Sequence, residues 1–445
     1  MKDDKLYILE KMPVPRAILS LALPTVLSMM IQILYNLTDT FFIGKLNDPY
    51  QVAAVTIALP IFMIQMAIAG IFGNGGASYI SRLLGRKKIY EARETTSSAI
   101  FTSALVSVVV GIAGLLWLKQ ILAMMGTSGQ TYGFAASYLK IILLGSPIVM
   151  LNFTLSQLIR SEGAAKTAMV GMLIGTGINI VLDPVFILIL KMGVTGAAVA
   201  TLIGNASAVL YYAAFYAGKK SIVPPSLKTL HLRKEIYREI FKIGIPASLS
   251  QIMMGIGSSI SYKLAAQYSD HNVAALGIAM RVFTIPIYIF IGLAVGVQPL
   301  IGYSYGAKLY GRMRETLRTS IMIALGLTVL FLIVFASFPR IMISTFIVYP
   351  EVVDLGTMIL GAYLFAIPFA AIGMIFMAAL QAMGKALPAL IVALSRQGIV
   401  YIPMIFILNY LWQFEGLIFA LPIADACTVL ISATFLYYIL KKIPK

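Results

Sequence analysis

Three carboxylates stand inside long apolar runs: Asp39 in YNLTDTFFIG (35–44), Asp183 in INIVLDPVFI (178–187), and Asp425 in the last run. Asn179 and Asp183 are i, i+4, so on a helix both face one way. Pro184 has no N–H and leaves the carbonyl of Ile180 without its helical donor. On its own helix Asp39 shares a face with Tyr35 and Asn36. Carboxylates, an amide oxygen and a freed carbonyl are hard donors, suited to Na⁺ or to carrying a proton.

The medium around these groups follows from composition. Of 445 residues, 60% are hydrophobic and 11% charged, and mean hydropathy is +0.92. Soluble domains carry about 25% charged residues, so the solvent is lipid. A spanning helix needs about 20 apolar residues. Twelve candidates fit, roughly 17–43, 52–80, 95–118, 131–159, 167–190, 195–217, 239–267, 273–303, 316–338, 355–383, 387–410 and 416–440. Long apolar helices exclude a barrel. The fold class is therefore an all-α integral membrane protein. At about 1.5 Å per residue, Asp39, Tyr138, Asp183 and Thr201 all lie roughly 6–11 Å below one surface. An ionisable group at membrane depth is a functional suspect.

Net charge +17 has a topological reading rather than a nucleic-acid one. With the N-terminus in the cytoplasm, 26 of the 34 Lys and Arg fall on that side. The outside holds only Lys45, Lys119, Lys191 and Arg340. This is the positive-inside pattern. It predicts a multi-pass protein of the cytoplasmic membrane with both termini inside and no nucleic-acid partner. MKDDKLYILEKMPVPRAIL has charges on both sides of its short apolar bit and no small-residue cleavage site, so it does not read as a signal peptide. The single Cys427 excludes a disulfide framework and a cysteine metal site.

The chain repeats itself at a shift of about 221 residues. LALPTVLS (21–28) meets IGIPASLS (243–250), QVAAVTI (51–57) meets NVAALGI (272–278), and RKKIYEARET (86–95) meets AKLYGRMRET (307–316). Gly75 falls on Gly296, Gly85 on Gly306 and Gly163 on Gly384. The expected organisation is an N-lobe at 1–218 with the cation site, a basic cytoplasmic linker at 219–236 and a C-lobe at 237–445. Six spans per half make the repeats parallel. Two pseudo-symmetric six-helix bundles around a central cavity are a transporter architecture.

YNLTDTFFIG, INIVLDPVFI, GVTGAAVAT (193–201) and the six-plus-six repeat resemble the multidrug and toxic compound extrusion (MATE) family over nearly the whole chain. The Asp39 and Asn179/Asp183 set resembles its DinF-like branch. That resemblance implies an N-lobe cation site at Asp39, Asn179, Asp183 and Thr201, with Tyr138 beside it, carrying H⁺ or Na⁺. It also implies rocker-switch antiport of drugs or other small organic compounds, with no cofactor and no metal beyond Na⁺. The mid-membrane acids that the NorM-like branch carries in helices 7 and 10 are missing here. The alternative is a lipid-linked oligosaccharide flippase of the wider superfamily. Serine and zinc chemistry are excluded by the lack of GxSxG, HExxH and any histidine in a span, and neither LTDT nor VLDP makes an intramembrane aspartyl protease motif.

The C-lobe carries Lys263, Arg281 and Arg396 against Asp425 alone within its spans. Asp425 either pairs with one of the arginines to hold helices together, or these charges form a positive cavity wall. Met29, Met66, Met254 and Met280, with Arg281, Arg396 and Asp425, are the candidate substrate-cavity residues. Flexible thioethers suit a promiscuous pocket. The expected partners are a small-molecule substrate and the bilayer, and the expected state is monomeric.

Overall fold

The computed structural model describes residues 2–46, 48–127, 129–218 and 220–444, with the side chains of residues 2–4 left out. Lys219, Lys445 and the Lys2 side chain, counted above among the cytoplasmic charges, lie outside the described set. The described residues are helices and connections. In order they are α1 (Lys2–Glu10), α2 (Val14–Gly44), α3 (Pro49–Gly85), α4 (Ile89–Leu116), α5 (Leu118–Met124), α6 (Gly129–Leu144), α7 (Ser146–Ser161) and α8 (Ala165–Pro184). Next come α9 (Val194–Ala217), α10 (Lys234–Ala265), α11 (Asp270–Gly306), α12 (Tyr310–Ser337) and α13 (Pro339–Ser344). The chain finishes with α14 (Pro350–Leu364), α15 (Ala366–Ala382), α16 (Ala386–Leu394) and α17 (Tyr401–Lys441).

Nine helical stretches among the described residues are long and apolar enough to cross a bilayer. One of them, Ala386–Lys441, is two spans, broken at Trp412 and Gln413. Two bent pairs, α6 with α7 at 53° and α14 with α15 at 47°, add one span each and bring the number to twelve. Both bends sit just before a proline, Pro147 and Pro368, which lacks the amide hydrogen needed to continue the helix.

Backbone dihedrals repeat with the sequence. Lys87 and Lys308 share φ of 59° and 60°, and Gly163 and Gly384 share φ of 83° and 69°. Gly193 (φ 58°, ψ −139°) turns the chain from α8 into α9. Gln413 (φ 52°, ψ −133°) makes the same turn inside α17. Glycine adopts this conformation freely, whereas glutamine carries strain there.

The two halves touch mainly at the end that bears the basic loops. Gly75 packs on the Ile240 carbonyl and Gly244 on the Ile71 carbonyl. Gly85 packs on the Tyr303 carbonyl and Gly306 on the Arg82 carbonyl. Ser78 Oγ donates to the Gln381 carbonyl at 2.5 Å, and Arg82 pairs with Glu239 at 2.8 Å. At the opposite end Met30, Leu34, Leu37 and Phe41 of α2 and Met254 and Ile256 of α10 are exposed. The close contacts between the halves are concentrated at the basic end.

α1 had no place in the sequence-based list of spans. It straps across both halves: Lys5 donates to the Lys220 carbonyl at 2.8 Å and lies 3.8 Å from Glu162, while Arg312 donates to the Leu9 and Ile8 carbonyls. Glu162 also accepts from Ser221 and the Ile222 amide. Burial pushes its carboxyl up, and Lys5 and these bonds pull it partly back. The linker packs on α4, where His231 and Arg233 contact the buried Glu94 at 3.0 and 3.3 Å.

Gln413 is exposed, so Gln413→Gly removes backbone strain without losing packing. The expected gain is about 1 kcal/mol in thermal unfolding of the detergent-solubilised protein. Gly193→Gln should do the opposite and more, because a side chain there collides with Gln51, whose Oε1 holds the Val194 amide at 3.0 Å.

Candidate functional site

Five helices of the first half supply the polar groups. α8 and α9 approach closely because Gly175 and Gly204 face each other, and Asn179 packs against Gly204. This brings the Asn179/Asp183 face of α8 toward Thr201 on α9, while α2 lies along α8 with Asp39 and Tyr35. Ile43, Ile187 and Ala197 form a small apolar cap with Tyr138 and Val55 packed on it. Ile43 and Ile187 lie one helical turn beyond Asp39 and Asp183.

Asn179 Nδ2 donates to Asp183 Oδ1 at 3.3 Å. Asp183 Oδ2 and Asn179 Oδ1 are buried without a hydrogen-bond partner among the described residues. Tyr35 Oη and Thr201 Oγ1 are 3.3 Å apart. The Thr201 carbonyl accepts from Asn205 at 2.7 Å, and Asn205 in turn accepts from Asn152 on α7 at 2.6 Å. Asp39, Asp183, Tyr35 and Tyr138 lie within electrostatic reach of one another. Asp39 is half-buried, and its carboxylate accepts no hydrogen bond from a described residue. Ile180 is half-buried one turn before Pro184, and the helix continues past the proline as a wider π turn, Val185–Ile189.

The structure thus gathers Asp39, Tyr35, Tyr138, Asn179, Asp183 and Thr201. Asn36 is exposed, and its amide oxygen accepts from Gln32 on its own helix at 3.3 Å. Asn205 and Asn152 join the network, and sequence reasoning missed them. Their only signal was an amide in each of two apolar runs, on helices facing the acids. Unpaired carboxylate and amide oxygens suit a proton or an alkali cation. Among the described residues no three His, Cys, Asp or Glu gather as a transition-metal site would need.

In the second half Arg396 Nε donates to Asp425 Oδ1 at 2.7 Å. Of the two arginines available, Asp425 takes Arg396. The aspartate is 1% exposed and the arginine 20%. Ser261 Oγ and Tyr401 Oη are 2.9 Å apart nearby. Arg281 and Met254 are exposed, and Met29, Met66 and Met280 are half-buried. Arg82 and Arg160, which lie beyond the apolar runs, are inside helices and each 5% exposed. Helices α3 and α7 run beyond the lipid-length apolar stretch and pack on protein there. The small-residue face of α3, with Gly75, Ser78 and Arg82 seven residues apart end to end, carried the signal for the first.

Known proteins fit this arrangement. The MatE family model matches residues 24–185 and again 246–407. The multidrug export protein MepA of Staphylococcus aureus is 34% identical over 441 residues, covering 99% of this chain and 97% of that protein. Two solved structures superpose with TM-score 0.93 at 25% identity, each covering 99% of this chain and 98% of the other. One is a MOP superfamily transporter from Pyrococcus furiosus, the other an outward-facing multidrug resistance MATE family transporter. With both halves matched and a relative alike from end to end, the chain belongs to the MatE family, a family of multi-pass membrane transporters and not of enzymes.

Proposed function

We propose that this chain is a secondary antiporter that exports drugs or other small organic compounds across the cytoplasmic membrane in exchange for H⁺ or Na⁺. The observation that carries the reading is the set of buried acceptors without donors at Asp183 and Asn179, beside the unpaired Asp39. Carboxylates in a low-dielectric bundle with free lone pairs attract positive charge. Multidrug export by the S. aureus relative supports the substrate class.

The mechanism is alternating access of two lobes, residues 1–218 and 237–445, joined by the linker at 219–236. In this reading the closed end, which carries the basic loops, faces the cytoplasm with both termini, as the positive-inside rule supports. In the outward-open state a cation or proton enters at Asp39 and Asp183, with Tyr35, Thr201 and the Ile180 carbonyl as further oxygens. Neutralisation changes how α2 packs on α8 and expels substrate. The empty transporter then rocks inward, which requires the glycine seam and the Arg82–Glu239 pair to part. The working unit is one chain.

Transport of a fluorescent organic cation in liposomes, with H⁺ and Na⁺ gradients imposed separately, tests the reading. Asp39→Asn and Asp183→Asn should each reduce gradient-driven export to background while the protein still inserts and folds. Wild-type rates from either variant would remove that residue from the coupling site. Pro184→Ala should close the helical bond to Ile180 and weaken cation affinity, read as a higher ion concentration for half-maximal export.

The C-lobe pair holds helices rather than ions. Arg396→Ala or Asp425→Ala should destabilise by about 3 kcal/mol, since each leaves a charge unpaired in the membrane. The double variant should recover part of that loss, and ions moved per cycle should stay unchanged. A changed stoichiometry in Asp425→Ala would end the one-lobe coupling model.

A further inference from the structure

Two guanidinium groups are almost fully buried in this molecule, and their surroundings differ. Arg82 has Glu239. Arg160 on α7 has no carboxylate partner among the described residues. Its one hydrogen bond runs from Nη1 to Gln157 Oε1 at 3.2 Å, and its Nε is buried without a partner. The acid nearest in sequence, Glu162, is taken by Ser221, the Ile222 amide and Lys5. Burying a guanidinium without a counter-charge is strongly unfavourable.

Arg160 lines a small cavity at the closed end, together with Ser81, Gln157, Ser161 and Gln298 and apolar walls from α3 and α11. α3 and α7 belong to the first half and α11 to the second, so the cavity lies in the seam. No acid lines it. Its room is that of about one water molecule. Gln157 spends its oxygen on Arg160, which leaves its amide N–H groups to donate. The single hydroxyl proton of Ser81 is shared between the Ala77 and Ser161 carbonyls, and Gln298 Nε2 reaches Gln381 Oε1 at 3.4 Å.

We infer that Arg160 and Gln157 form a binding site for a small inorganic anion of the chloride class in the seam between the two halves. The donor set is cationic and amide, as a halide requires. The small room suits a monatomic anion better than phosphate or an organic carboxylate. A water molecule fits but leaves the charge uncompensated. The anion neutralises Arg160 where both halves enclose it, and opening this end hydrates both and releases it. Bound anion therefore favours the closed form, independently of the cation that drives transport.

The test is thermal unfolding of the full chain in detergent, in potassium chloride against potassium gluconate at equal ionic strength. Wild type should melt a few degrees higher in chloride, with a saturating dependence that bromide reproduces. Arg160→Gln should abolish the dependence, and Arg160→Lys should keep part of it. A wild type indifferent to chloride overturns the proposal, as does an Arg160→Gln variant with the full response. Should Arg160→Gln fail to fold, wild-type crystals soaked in bromide decide the matter. An anomalous peak within hydrogen-bond reach of Arg160 and Gln157 supports the site, and its absence there overturns it.

Discussion

The backbone-to-backbone seam at the basic end is the contact on which the rest of the molecule depends. Lipid tails are as apolar as leucine, so helices in a bilayer gain little from hydrophobic burial against each other. They gain from close packing and from polar groups that satisfy one another. Gly75, Gly85, Gly244 and Gly306 let three helices, α3, α10 and α11, approach until carbonyls lie where side chains would be. Ser78, Gln381, Arg82 and Glu239 fill the same seam with directional bonds. Such an interface is close-packed, so it does not loosen by degrees. It is whole or parted, which is the property that an alternating-access machine needs.

The closed seam dictates the shape of everything beyond it. The N-terminal portions of α2 and α10 are held in the seam, whereas beyond Ser28 only Ile43 of α2 is buried. Asp39 sits on that less buried portion of α2, while Asp183 sits on α8, in the body of the first half. A change in charge at this pair acts on the element that also runs into the seam. Under the proposed antiport, that one helix is the physical route from ion occupancy to the closed end.

The two halves share a scaffold and differ in electrostatics. Asp39 of the first half falls near Ser261 of the second. There the hydroxyl meets Tyr401, and the only buried acid nearby, Asp425, is already matched by Arg396. In the first half the buried aspartate has no cationic partner, whereas in the second it is paired with an arginine. The repeat in backbone dihedrals persists even where chemistry has drifted, as Gly193 and Gln413 show.

Much was legible in one dimension. Hydropathy and length determined the solvent, the helical class and the number of spans, because lipid permits few structures. The repeat determined that the second half copies the scaffold of the first, whereas the bends before Pro147 and Pro368 emerged only in the fold. The i, i+4 spacing determined that Asn179 and Asp183 share a face. What tertiary structure alone decided lies where protein meets protein. Hydropathy marks the end of lipid, not the end of packing: Arg82, Arg160, Glu94 and Glu162 lie beyond the apolar runs, yet all four are buried. The same holds for partner choice: Tyr35 with Thr201, and Asp425 with Arg396 rather than Arg281, depend on helix rotation and crossing. Those are set by which small residues meet across helices, a pairing between distant positions that periodicity along one helix does not encode.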